Sequence, residues 1–433
     1  MWREGTCFPY GGAPGNTACS ATSTFNKGKR LCYCLTSLIQ IEQDEPEGFQ
    51  LVQVSDDSSS MDAAVFSKVI QMNGPSLDIY RFGGCVSSVI GPATDRVYWG
   101  AVNPDPFNPT VRWRELDPSP VPFAGHTVTM TAGTIDRQRF LVLGGVNSCD
   151  DSATYMSFLW IWSIGKDGND GTWDKLPPIP DPCGLAFHSA NSFSGRMMVF
   201  GGRRGTSGSG CDSNKRVSST LWLFDIYENT WTERATTGDA YGVWGHASEY
   251  YWDSRQWEGL FLHGGRLQDG SIDKKLRWIS ASAGSRDPVD FQTISDTGPQ
   301  RMFHTLLTFR DDGGDPPDFV ERLKVMGGVR STGPDWRIPE FAYDETWTIG
   351  PEGHRSSEWN WDQSNFSYPD ANGVWGQAGL DWGSSSILQL GGCRGTTCDL
   401  TNDLYLYKNA GQTAPVFLWL LGVVLLMYAD QAC

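Results

Sequence analysis

Six times the chain writes a short apolar run that ends in two glycines. The runs are Leu77–Gly84, Arg139–Gly145, Arg196–Gly202, Glu258–Gly265, Arg322–Gly328 and Ser386–Gly392. Their second glycines follow one another at steps of 61, 57, 63, 63 and 64 residues. Self-similarity at a near-constant period outranks any local assignment, because a repeated unit buries its apolar surface by stacking on its neighbours. The architecture must therefore be an array of like units.

What those units contain follows from the residues between the glycines. The 433 residues include 50 Gly and 19 Trp, and long helical periodicity is absent, which predicts an all-β chain of many short strands. Each unit opens on a first strand, Ala63–Ile70 in the first copy, and its second strand ends in Gly-Gly. Third strands carry an aromatic residue: Val97–Trp99, Leu159–Trp162, Leu221–Phe224, Leu276–Ile279, Glu345–Ile349 and Asp403–Tyr407. A fourth strand is marked by tryptophan, at Gly84 to Trp113, Gly145 to Trp173, Gly202 to Trp231 and Gly328 to Trp359, steps of 29, 28, 29 and 31 residues. The fourth unit has Phe291 near that place.

An apolar strand, a Gly-Gly pair and a spaced aromatic and Trp resemble the kelch repeat, and the chain is similar to the kelch propellers of the attractin and muskelin type. The resemblance covers roughly residues 49–408. It implies an all-β, six-bladed kelch-type β-propeller, with repeats longer than the roughly 50 residues usual for kelch. The residues support this independently. A blade packed between two neighbours buries both faces of its inner strands, so near-continuous apolar runs such as Phe140–Leu143 replace strict alternation. Glycine at the strand exit permits close backbone approach or a positive φ. The sixth unit ends after Lys408 without a Trp strand, and the orphan strand Phe49–Val54 is predicted to fill that place, closing the ring and removing an exposed edge.

Three segments result: a Cys-bearing lead over 1–48, the propeller over 49–410, and a hydrophobic tail over 411–433. The lead has no apolar core of a secretory signal, so either the protein is cytosolic or its start lies upstream. The tail contains an uncharged stretch, Ala414–Ala429. As a helix it would span about 24 Å against a hydrocarbon core of about 30 Å. It reads as a short membrane anchor, as a glycolipid-anchor signal preceded by the small residues Asn409–Gly411, or as a buried core helix. The eleven cysteines show no zinc-finger spacing and read as disulfides of an oxidising compartment; Cys393 and Cys398 are close enough to bridge, while the other pairings stay open. Asn365 heads the N-glycosylation sequon Asn365-Phe-Ser367.

Net charge is −16, with a pI near 4.8, which argues against a nucleic-acid binder, since that needs a basic face. No paired-carboxylate, Gly-x-Ser-x-Gly or phosphate-loop pattern is present, and no cofactor is implied. His126, His188, His246 and His304 recur at one repeat position, where the sixth unit has Gln377. Recurrence of that kind suits an imidazole that satisfies backbone groups between blades rather than catalysis or metal binding. The candidate binding residues follow the glycines: Arg203 and Arg204, Arg266, Arg330 and Arg394. In kelch proteins that bind acidic peptides such arginines face the partner, and guanidinium suits bidentate carboxylate recognition. The competing reading pairs each with a carboxylate of a neighbouring blade. The sequence therefore predicts a non-enzymatic platform, tethered to a membrane and facing the cell exterior, that takes a protein or glycan partner of acidic character through its loops. The alternative is an extracellular copper oxidase of the galactose-oxidase-like propeller type, although no compact Tyr/His/Cys set maps onto such a site.

Overall fold

The structure, a computed structural model, describes residues 48–408 except 56–59, 72–77, 104–107, 135–136, 166–170, 207–209, 213–215, 253–256, 282–287, 312–319, 352–357, 368–371 and 383–385. Strands dominate throughout, and the described residues contain no α-helix. Four-stranded antiparallel sheets follow one another along the chain. The first joins Lys68–Gln71, Asp78–Phe82, Val97–Asn103 and Thr110–Glu115 in that order; the second joins Thr127–Thr134, Arg137–Leu143, Leu159–Gly165 and Thr172–Leu176. Sheets beginning at Ser189, Ala247 and Thr305 repeat the pattern. In each, the run ending in Gly-Gly is the second strand.

The last sheet is assembled from both ends of the described chain. Ala378–Asp381, Ser386–Arg394 and Asp399–Lys408 are followed by Gly48–Val54, which pairs antiparallel with Asp399–Lys408 in the register Gly48 to Lys408 and Val52 to Leu404. The orphan strand thus takes the outer place that the sequence leaves vacant. Its end also runs parallel to Thr110–Glu115, at Gln53 to Thr110 and Val54 to Val111.

The first strands of the sheets touch in a closed cycle: Lys68–Gln71, Thr127–Thr134, Ser189–Phe193, Ala247–Trp252, Thr305–Asp311, Ala378–Asp381 and back to the start. Apolar side chains fill the gaps between neighbouring sheets. Phe82, Tyr80, Phe140 and Trp162 pack between the first and second. Leu143, Leu185, Val199 and Phe224 do so between the second and third, and Trp113, Ile79, Leu388 and Leu404 between the first and last. Both faces of an inner strand are therefore covered, which is why Arg196–Phe200 is buried at four successive positions. The architecture is all-β and propeller-like.

The double glycine has a definite job in this packing. The amide of the second glycine donates to a carbonyl of the next unit: Gly84 to Phe123 at 2.9 Å, Gly145 to Leu185 at 2.8 Å, Gly202 to Val243 at 2.8 Å and Gly265 to Arg301 at 2.9 Å. A Cβ on the first glycine would strike that same oxygen, at 2.4 Å for Gly201 against Val243. Two side-chain-free residues are needed for one sheet-to-sheet hydrogen bond.

One expected strand is interrupted. Ala63–Ile70 is split into Ala64–Val65, paired with Cys85–Val86, and Lys68–Gln71, because Phe66 turns at φ 60°. The lead over 1–47 and the residues from 409 onward, including the apolar stretch of the tail, lie outside the described residues. Among the described residues no helix is long and apolar enough to cross a membrane.

Candidate functional site

The turn at Phe66 belongs to a ring on the axis of the molecule. Backbone amides donate around it in one direction: Gly125 to Phe66, Phe187 to Gly125, Gly245 to Phe187, Phe303 to Gly245, Gly376 to Phe303 and Phe66 to Gly376, at 2.7–3.0 Å. Every member has a positive φ, between 54° and 65°. Phenylalanine and glycine alternate because each phenyl ring lies where its glycine neighbour would carry a Cβ, Phe187 over Gly125 at 2.5 Å for example. The three phenyl rings meet with centroids 4.7–5.4 Å apart and close the channel with an apolar plug.

On the loop side of this plug stands a mouth built from the residues just after each Gly-Gly. Cys85, Val146, Arg203, Arg266, Val329 and Cys393 pair with Val65, Ala124, Ala186, Trp244, Met302 and Trp375, the residues just before the Phe/Gly ring. Four of the six inward positions are apolar core, and only Arg203 and Arg266 are cationic. Side chains alternate in extended backbone, so the next residue along points away from the mouth.

That one-residue offset separates the predicted arginines. Arg204 turns away and grips Asp181 with two contacts, Nε to Oδ2 at 2.8 Å and Nη2 to Oδ1 at 2.9 Å. Arg394 is paired with Asp403 inside its own sheet. Arg330, half exposed, stands 3.8 Å from Glu340 across its hairpin. Arg266 faces inward but is buried, its Nη2 donating to the Thr332 carbonyl at 3.2 Å and to that of Gly333.

Arg203 is different. Its guanidinium lies 5.2 Å from the centroid of Trp244 and 5.9 Å from those of Tyr155 and Trp336, an aromatic bowl that favours a cation. Among the described residues no carboxylate pairs with it. Burial lowers its pKa from the usual guanidinium value, Tyr155 and, less, Asp151 act in the opposite sense, and Arg337 and Arg216 push it down further. Burial also pushes the Tyr155 hydroxyl up. A chain of net charge −16 has therefore gathered Arg203, Arg216, Arg266 and Arg337 around one opening.

Trp336 and Arg337 were not singled out by the sequence reading. Trp336 sits on the plug, 5.3 Å from Phe303 and 5.5 Å from both Phe187 and Trp244. Arg337 straps the same loop across the mouth, donating from Nε to the Cys149 carbonyl and from Nη2 to Asp151, each at 2.8 Å. The available signal was a tryptophan between Gly-Gly and third strand that no other unit has.

Disulfides tie this face together. Cys393 bonds Cys398 as the spacing suggests, Cys85 bonds Cys149 across two units, and Cys183 bonds Cys211. Asn365 lies in the outer strand Trp359–Ser367, and its side chain is outside the described residues.

The recurring histidines lie on the other side of the plug. His188 Nε2 is 2.8 Å from Thr127 Oγ1, His246 Nε2 is 2.9 Å from Ser189 Oγ, and Gln377 Nε2 donates to Thr305 Oγ1 at 3.0 Å. Each reaches the residue that follows the corresponding position in the preceding unit. Where that residue is Ala247, His304 turns instead to His263 at 3.0 Å. The partners of these histidines are thus neighbouring side chains rather than backbone groups. Among the described residues no group of three or more His, Cys, Asp or Glu is placed to hold a metal ion.

No family model matches the chain, and no curated protein does. Among solved structures it is similar to one titled "Structure of YjhT", at 15% identity and a TM-score of 0.56, over 81% of this chain and 99% of that one.

Proposed function

We propose that this chain is a six-bladed kelch-type propeller that acts as a non-enzymatic binding platform. Its loop face takes a protein or glycan partner through carboxylate groups seated on Arg203. The closed cycle of first strands and the Gly-Gly staples support the blade count and the kelch reading. The observation that carries the function is Arg203 itself. It is a guanidinium held in an aromatic bowl at the channel mouth, in ion-pair contact with no carboxylate among the described residues, in a strongly acidic chain. A preformed, partly desolvated guanidinium is suited to charge-assisted, bidentate capture of an incoming carboxylate. Arg204, Arg266, Arg330 and Arg394 keep their loops in place and shape the rim.

The disulfides support an oxidising compartment, and we assign the tail the role of membrane tether with the loop face toward the cell exterior. The rival reading, a copper oxidase, has no comparable observation behind it. Selection of displayed random peptides and a glycan array against the full chain tests the platform. Binders enriched in Asp, Glu or carboxylated sugars, and lost on Arg203→Gln, are expected. Binders without acidic bias that hold Arg203→Gln equally well would contradict the reading.

A further inference from the structure

Behind the phenylalanine plug the hydrogen-bond pattern of the histidine layer breaks on both sides of the first unit. Every other His or Gln of that layer reaches a side chain of the preceding unit, but the residue preceding His126 in this scheme is Lys68, an amine in place of a hydroxyl. His126 is fully buried, and neither ring nitrogen has a partner. Ser67, 2% exposed, stands in the first unit where the others have His or Gln, and its hydroxyl is likewise unpartnered. Both line a cavity of about 60 Å³ that also holds Lys68 and is walled by His188, His246, His304 and Gln377. Buried polar groups without partners carry a desolvation cost, and Nδ1 of His188, His246 and His304 and Oε1 of Gln377 are unpartnered at the same cavity, so the cluster calls for an explanation.

Lys68 supplies it. It keeps accessible surface, yet that surface faces the interior of the ring. Lys68 lines both this cavity and the chamber beside it together with His188, His246, His304 and Gln377, residues of four other units, so it faces the axis. Burial lowers its pKa. Lys68 is exposed only into this channel, so its ammonium is the group there that can take a counter-charge. The neighbouring chamber, about 190 Å³, adds Thr127, Ser189, Asn191, Ser248 and Thr305, all able to bond a polar ligand body, and Glu249, whose carboxyl burial pushes up to about 8.

We propose that the channel behind the plug holds a binding site for a small oxyanion, of the carboxylate or phosphate class, gripped by the Lys68 ammonium, the Ser67 hydroxyl and the His126 ring N–H. The site is separate from the loop face, because the three phenyl rings lie between them. It stands whether or not Arg203 binds a partner.

The test is calorimetric titration of the full chain with sodium acetate and with sodium phosphate in chloride-free buffer. Saturable binding of one of them is expected, weakened tenfold or more by Lys68→Met, weakened less by His126→Phe, and unchanged by Arg203→Gln. The anion that saturates at lower concentration identifies the class. Thermal melts give a second reading: the ligand raises the wild-type melting temperature and leaves that of Lys68→Met where it was. If Lys68→Met does not fold, the wild type decides, since six histidines give few imidazole ¹⁵N signals. The His126 signal must then move saturably with the anion. Absence of saturable binding to both anions, equal binding by Lys68→Met, or a His126 signal indifferent to either anion would each overturn the proposal.

Discussion

A single position along an extended strand decides what each loop arginine does. Arg203 and Arg266 occupy the first residue after Gly-Gly and face the mouth, whereas Arg204, Arg330 and Arg394 occupy the second and face away. The sequence showed all five side chains but treated the two offsets as equivalent, which the period-two alternation of strand backbone forbids. The glycines make the same point about local geometry. Gly201→Ala would set a Cβ 2.4 Å from the Val243 carbonyl at a φ of +66° and break the staple made by Gly202. We expect a loss of about 2 kcal/mol or more in chemical denaturation. Gly333, whose added Cβ meets nothing within 4 Å, should accept alanine with little change. Equal effects of the two substitutions would refute the staple.

At the scale of elements, the strand Gly48–Val54 carries the closure of the ring. It gives the last sheet its outer strand, and its Val52, 2% exposed, packs with Leu404, Leu406 and Val111. Val52→Asp buries an unpaired carboxylate there and should cost about 3 kcal/mol or more. It should also open both Asp399–Lys408 and Thr110–Glu115 to amide exchange. Leu51→Asp, on the exposed face of the same strand, should do neither. Unchanged exchange in Val52→Asp would show that the ring closes without this strand. The strand was legible because the sixth unit lacks a tryptophan strand and a spare alternating run exists at the other end. The break at Phe66 was not legible, since the Phe/Gly ring that imposes it is made by residues from every unit.

Across the whole molecule, the repeats made the all-β, propeller-like architecture readable and left the axis dark. Trp336 and Arg337 act on residues far away in sequence, Arg337 on Cys149 over 188 positions, so no local pattern announces them. The histidine layer has a global consequence too. Burial first, then neighbouring charge, holds His188 and His263 down to about 3 and keeps His126, His246 and His304 well below 6.5. Below pH 6.5 the unfolded chain takes up protons that the folded chain refuses, so each such histidine lowers stability as pH falls, by up to about 1.4 kcal/mol per pH unit. Burial raises Glu249 to about 8 and Asp381 to about 7, with carboxylates nearby adding to the effect. These two contribute stability below their unfolded pKa values and lose it as pH rises through 7 to 8. The melting temperature should therefore peak between pH 6 and 7 and fall more steeply on the acid side, where five histidines oppose two carboxyls. A melting temperature that climbs from pH 7 to pH 5 would contradict this account of the layer.

The loop face is where the functional claim is decided. The direct measurement is titration of the full chain with a fluorescein-labelled hexaglutamate peptide, read by anisotropy and by total tryptophan emission, to which Trp244 and Trp336 at the mouth contribute. The account predicts saturable binding with a change in tryptophan emission, weakened about tenfold or more in Arg203→Gln, the loss of one charge-assisted bidentate contact. Arg330→Gln, at the rim and half exposed, should bind nearly as well as wild type. Equal affinity of wild type and Arg203→Gln, or no saturable binding at all, would contradict the claim that this arginine is the seat of recognition.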